Sequence, residues 1–382
     1  MNSAFLKWLE RNIIVIIIVS GICILFFPLL LSLPASCALF DLSSGGPIGD
    51  VIGGTTAPII GVISIILLVL TLKTQKDADY KSQLENRIFQ LIKIHQDNVS
   101  SMRMDDNGAE LSGREVFSMI KRQILSCIRE IKPLIYAYES ELFTKEFESD
   151  YGNLGIEIDW KEFAILDMAF SIVYIGVDKE SLTQLKSILS KRYSEGIVNL
   201  VIWNSRLRPF RSAEKTYDEW ELWSRLSATK RMRLLPYMVM NFEKIEDENV
   251  KQDIKKSFPL LHRQAYRKYY AGHQFRLGHY YRNLYMIIEY ISNEQTLQEE
   301  ERYKYVKIIR SQLSTTEQLL LMANSITYLG REWELYAENE KKYFTRYNLI
   351  KNIPQDTAFG VEYRKIYPNV KYEVSISPGE SI

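Results

Sequence analysis

The side chains best suited to chemistry in this sequence sit together in one run, Gly272-His-Gln-Phe-Arg-Leu-Gly-His-Tyr-Tyr-Arg-Asn-Leu-Tyr285. Drawn at helical spacing, Leu277, Tyr281, Leu284, Ile288 and Ile291 form one apolar stripe, and Arg276, His279, Arg282 and Asn283 fall on the opposite arc. Guanidinium forks match the oxygens of phosphate or carboxylate, and imidazole exchanges a proton near neutral pH, so this arc suits a small anion-binding or acid/base site. Ion-pair networks gather the same groups at helix contacts, where the arginines would tie to Glu289 or Glu317. The tie is the expectation for Arg282, and the site for His279, whose neutral ring demands less pairing.

The next helical region, Tyr303 to Asn324, places Arg310, Glu317 and Asn324 at seven-residue intervals beside Val306, Leu313 and Leu320. Polar groups on such a stripe need hydrogen-bond partners when buried, which predicts an internal network. Ser314-Thr-Thr-Glu317 also has capping-box spacing, so a new helix can start there with Glu317 as its cap. The candidate site residues are therefore His279, Arg282, Arg276, Glu317 and Asn324, with no catalytic role assigned to any of them. There is no Gly-Lys-Thr/Ser phosphate loop, no Gly-x-Ser-x-Gly elbow and no His-Glu-x-x-His helix, and His95, His262, His273 and His279 lack clustered acidic partners. No catalytic motif is found, which leaves the question of an enzymatic activity open and leans against one; no cofactor or metal is expected.

These residues must be held by helices. Leu84, Ile88, Leu91 and Ile92 have amphipathic spacing and predict a stalk packed on the body; Val116, Ile120, Ile124, Ile128 and Ile131 repeat the pattern up to Pro133, where the helix should kink or end. Leu182, Leu185, Ile188 and Leu189 make a third stripe, opened by Asp178 as N-cap and closed by Gly196. The stretch from Arg206 to Val250, with Trp220, Trp223, Pro236 and charged clusters, reads as an insertion or domain seam.

Ahead of this body, Ile13–Leu33 and Val51–Leu72 are uncharged runs of 21 and 22 residues, each long enough at about 1.5 Å per residue to cross a hydrocarbon core of about 30 Å. Lys7 and Arg11 precede the first run, Lys73, Lys76 and Lys81 follow the second, and Pro34 to Asp50 carries no Lys or Arg, which places both ends on the cytoplasmic side. Ala57 and Gly61 have small-xxx-small spacing. The expected fold is mainly α, with two N-terminal transmembrane helices followed by a large α-helical cytoplasmic domain. Its parts are an anchor over 1–75, the domain over 76–354 and an irregular tail over 355–382. A net charge of +1 argues against a dominant nucleic-acid surface and leaves room for a local basic patch. Cys23, Cys37 and Cys127 are too scattered for a disulfide framework.

The chain resembles the AbiC-like phage abortive infection proteins of bacteria. The likeness rests on the two N-terminal runs, on Glu85-Asn-Arg-Ile-Phe-Gln-Leu-Ile-Lys-Ile-His-Gln-Asp-Asn-Val99, on Gly113-Arg-Glu-Val-Phe117 and on Gly278-His-Tyr-Tyr-Arg-Asn-Leu-Tyr285. Gln312-Leu-Ser-Thr-Thr-Glu-Gln-Leu-Leu-Leu-Met-Ala-Asn324 and Tyr347-Asn-Leu-Ile-Lys-Asn352 complete it; Tyr281 stands where the family commonly has Phe, and 206–250 matches poorly. The resemblance implies a role in antiviral defence, by arrest or killing of the infected cell, and supplies no biochemical activity. Joined to the two apolar runs, it leads to the expectation of a sensor or effector anchored in the bacterial inner membrane that acts by membrane disruption or growth arrest. The expected partners are the lipid bilayer and a phage-derived trigger or defence-system protein; a second copy of the chain and nucleic acid stay open. Two other readings stand beside it: a membrane-tethered ribonuclease of the HEPN type, on the spacing of Arg267-Lys-Tyr-Tyr-Ala-Gly-His273, and a membrane scaffold with no role in defence.

Overall fold

The computed structural model describes Asn12, Val15, 18–22, Phe26, 45–106, 108–152, 155–335, 341–354 and 358–373. Cys23, Cys37, Lys7, Arg11 and most of the run Ile13–Leu33 lie outside the described residues, as does 374–382. The chain divides into two units, Met1–Phe89 and Gln90–Ile382, and it is mainly helical.

The helix α1, Gly45–Ser100, runs unbroken through Pro58 and carries the second apolar run in its first half. There Val62, Ile65, Leu68 and Leu72 are more than half exposed. The Cβ positions of Gly53, Gly54 and Gly61 have nothing within 4 Å. Among the described residues no helix is long and apolar enough to cross a membrane; within the run Val51–Leu72, the side chains of Val51, Ile52, Thr55, Thr56 and Ile59 fall outside them.

In the second unit, a short antiparallel hairpin of β1 (Arg103–Asp106) and β2 (Ala109–Ser112) precedes α2 (Arg114–Tyr136). The isoleucine stripe of α2 is buried, as its spacing predicts. Pro133 does not end this helix, which continues to Tyr136. Cys127 is fully buried on it, and burial pushes its thiol up to about 12.

After α3 (Lys145–Tyr151), α2 packs against α4, Trp160–Ile175, whose residues from Glu162 onward are all buried. Asp159 caps α4 by accepting from the amides of Lys161 and Glu162, and Gly176 ends it at φ 97°. Next come α5 (Leu182–Leu189) and α6 (Glu195–Arg206). The cap of α5 is Ser181, with the carbonyl of Asp178 accepting two of the first amides. Gly196 does not close it: it lies inside α6, where a Cβ would run into the hydroxyl of Tyr138.

The stretch from Arg206 to Val250 and the residues after it are largely helical. The helices α7 (Glu214–Ser224), α8 (Ala228–Met238), α9 (Glu248–Ser257) and α10 (Pro259–Arg263) gather a separate apolar cluster around Trp220, Trp223, Leu235 and Met238, with Leu134 of α2 joining it. The charges of this stretch break its periodicity, but its tryptophans are buried.

The C-terminal helices are α11 (Gln274–Asn293), α12 (Glu299–Gln312), α13 (Thr315–Ile326) and α14 (Tyr343–Tyr347). Within the segment expected to be an irregular tail, residues 358–373 include the turn α15, Tyr363–Ile366. Tyr363, Tyr367 and Val370 recur there at helical spacing and are buried.

Candidate functional site

The apolar stripe of α11 is buried throughout, and the polar arc divides. Arg276 turns to the hairpin: its Nε donates to the carbonyl of Arg103 at 2.9 Å and its Nη1 meets Nδ1 of His273 at 3.3 Å. Arg282 is exposed and its Nε donates to the carbonyl of Gly278 at 3.0 Å, within its own helix. His279 is exposed. Neither arginine meets Glu289 or Glu317 among the described residues, so the expected ties are absent: at helical spacing these side chains project away from the buried face that holds the carboxylate. We therefore expect Arg282→Ala, alone or with His279→Ala, to leave the unfolding free energy within about 0.5 kcal/mol of the parent, as for exposed sites generally. Urea unfolding monitored by circular dichroism checks this, and a loss of several kcal/mol would restore the tie.

Glu317 does two jobs. It completes the capping box of α13, its Oε2 accepting from the amide of Ser314 at 2.8 Å. It also receives the hydroxyl of Tyr280 on Oε1 and faces Nε of Arg114 at 3.4 Å, so one buried carboxylate joins α2, α11 and α13. Arg310 donates to the carbonyls of Tyr347 and Asn348. The carbonyl of Asn324 ends α13 by accepting from Thr327, close against Gly330. The seven-residue series thus makes three separate anchors rather than one network.

The spacing of Arg267 and His273 fails as a nuclease motif for a backbone reason. Residues 264–273 form no helix, and Gly272 sits at φ 90°. His273 is buried and burial, with Arg276 beside it, lowers its pKa to about 3. With Nδ1 accepting from Arg276, its Nε2 donates to Gln123 at 2.6 Å. It is a neutral structural histidine.

Two features escaped sequence reasoning. The first is a buried ion pair: Arg192 Nη1 lies 2.7 Å from Asp167, each side chain 1% exposed, with the hydroxyl of Tyr193 donating to the same carboxylate and Tyr151 accepting from Arg192. Burial opposes the charge on Arg192, but Asp167 and the tyrosines outweigh it and hold its pKa raised. The second is a cavity of about 1100 Å³. Its walls come from 177–179 after α4, the end of α6, 239–243 after α8, Lys255 of α9, α10 and the loop 264–268. Six cationic side chains line it, Lys179, Arg206, Lys255, Arg263, Arg267 and Lys268, against the two carboxylates of Asp178 and Glu243.

Local stitching fixes the cavity. Gln264 turns the chain in the left-handed region at φ 52° and donates to the carbonyl of Met238; Tyr266 donates to the carbonyl of Leu207. A bridge between Pro209 and Lys268 then sets Lys268 beside the segment that follows Arg206. Lys268 is buried, and burial together with Arg206 lowers its pKa to about 8, Asp178 opposing. Phe242 and His262, also in the lining, stack on one another at 3.6 Å. Among the described residues no group of three His, Cys, Asp or Glu could hold a metal ion.

Residues 272–358, from Gly272 through α14, match the family model described as "Putative phage abortive infection protein". The match bears out the resemblance drawn from the sequence and points to phage defence. No curated protein and no solved structure matches the chain.

Proposed function

We propose, from this matching C-terminal segment, that the protein is a membrane-anchored sensor or effector of phage defence. In this reading the helical second unit perceives a phage-derived trigger or a partner protein, and the N-terminal runs carry the response to the bacterial inner membrane. The observation that carries the membrane half is the exposed apolar surface of α1: Val62, Ile65, Leu68 and Leu72, each more than half exposed, recur on a helix whose flanking Lys73 and Lys76 mark the water side. Leaving such a surface in water forfeits about 25 cal/mol for each Å² that a bilayer would cover.

The test is a phage challenge of cells carrying either the full chain or a chain starting at Lys73, with protein abundance, membrane potential and RNA integrity followed together. The short chain is expected to accumulate but to give no protection, while the full chain protects and infected cells depolarise. Full protection by the short chain would end the membrane reading. Protection with unchanged potential and degraded RNA would transfer the role to a nuclease.

A further inference from the structure

We propose that the basic cavity bounded by α6, α9, α10 and the loop 264–268 binds a small ligand carrying two or more phosphate groups. The inference is independent of any membrane role.

The physical case starts from the two cations that the fold forces together. Arg206 and Lys268 come from segments 62 positions apart and share one wall, joined by the bridge at Pro209 and by the Tyr266 hydroxyl on Leu207. Neither makes an ion pair among the described residues. Lys268 Nζ is met by the carbonyl of Gln264 at 3.2 Å and by the face of Tyr266, both uncharged, and Nε of Arg206 is buried with no hydrogen-bond partner. Elsewhere Arg192 is matched by Asp167 and Arg208 by Glu130, while Arg231 and Arg310 each lie alone against backbone carbonyls. Among the described residues, only in the cavity do two such unmatched cations share a wall. A pair of like charges held partly out of water, with one nearby carboxylate to offset them, is a cost that a bound anion removes.

The rest of the lining sets the class of anion. Lys179, Lys255 and Arg263 extend the positive potential along the cavity, Arg267 being paired with Asp105 at 3.3 Å. With Arg206 and Lys268, five cations thus face the two carboxylates Asp178 and Glu243, more than one phosphate would neutralise. A volume of about 1100 Å³ is large for a lone inorganic phosphate and within the size range of nucleotide-sized ligands. Arginine forks and lysine point charges in one site are the usual pairing for phosphate chains. Phe242 and His262 stack on one another in the lining, with Lys255 over the Phe242 ring, so a base can continue the stack only on an outer ring face. A nucleotide and a free polyphosphate share the phosphate chemistry and differ in their use of that stack.

The experiment is calorimetric titration of the full-length protein with ATP, inorganic triphosphate and adenosine, in the absence of divalent metal and at two salt concentrations. ATP or triphosphate is expected to bind, more weakly at higher salt, and adenosine not to bind. Tighter binding of ATP than of triphosphate identifies a nucleotide site that uses the Phe242–His262 stack, and equal binding identifies a polyphosphate site. Lys268→Met should weaken binding about tenfold or more, the loss of one charge-assisted contact. Because Lys268 is buried, the exposed pair Lys179→Gln and Arg263→Gln serves as the second variant: it should weaken binding several-fold with an unchanged melting temperature. No binding of either phosphate compound, binding undiminished in the Lys179→Gln, Arg263→Gln protein, or tight binding of adenosine alone would each overturn the proposal. So would saturable binding of single-stranded RNA at this site with no binding of the small anions.

Discussion

Replacing Asp167 by asparagine is expected to destabilise the protein by about 3 to 5 kcal/mol, the cost of leaving one member of a buried ion pair unmatched. The substitution keeps the shape and removes the charge, so Arg192, with its side chain 1% exposed, loses its only anionic partner among the described residues while still donating to Ile326. Tyr193 loses as well, because its hydroxyl donates at 2.7 Å to the same oxygen; burial first and then Asp167 hold that hydroxyl protonated, far above its ordinary range. The cluster joins α3 through Tyr151, α4 through Asp167 and α13 through Ile326, so its failure loosens three elements together. A total stability of about 5 to 15 kcal/mol would be cut by a large fraction, and the variant should accumulate poorly. The double change Asp167→Leu, Arg192→Met separates the causes. If the unmatched charge is responsible, the double variant regains more than half of the loss in urea unfolding, whereas a purely steric cause leaves it as unstable as the single one.

Gly272→Ala should be nearly as damaging for a different reason. The chain leaves α4 at Gly176 and enters α11 at Gly272, and the two glycines cross face to face at φ 97° and φ 90°. Hydrogen bonds from Val177 to Tyr270 and from His273 to Tyr174, 2.9 and 2.8 Å long, clamp the crossing on both sides. A side chain at 272 adopts a left-handed backbone at a cost of about 1 to 3 kcal/mol. Its Cβ would also run into the carbonyl of Ile175, and one at 176 would meet the backbone of Ala271 at 2.9 Å. Gly278→Ala is the internal control. It lies within α11, and its nearest neighbour would be the movable hydroxyl of Tyr174 at 3.2 Å, so it should change stability little. Comparable melting temperatures for the 272 and 278 variants would show that the crossing tolerates a side chain.

The helices that were legible in the sequence are those with one dry face. The stripes of α2 and α11 are periodic because only one side of each meets the core. The capping box at Ser314 was legible because it is written within four residues. By contrast α4, the most buried helix of the second unit, has no polar face to set a rhythm, and it gave no signal. The Asp167–Arg192 pair was invisible because its members lie 25 positions apart, each in ordinary surroundings along the chain. The cavity was harder still: its cations are scattered from 179 to 268 among carboxylates that balance them in the total charge. Only the turn at Gln264 and the bridge at Pro209 bring them to one wall. The arc of α11 was conspicuous because its residues recur at helical spacing within one short run, yet exposure, which sequence does not record, decides that Arg282 and His279 tie nothing down.

The sulfur of Cys127 gives this fold a clock. Alkylating reagents attack the thiolate, and at position 127 the native state supplies neither access nor an ionised form below about pH 12. In protein with Cys23 and Cys37 changed to serine, modification must wait for the second unit to open, so its rate follows the opening equilibrium as amide hydrogen exchange does. One residue on the central helix therefore reports, inside a living cell and without any spectroscopic label, how often the body comes apart. For the same reason it cannot be used to learn which side of a membrane the body faces, because the reagent is refused from either side.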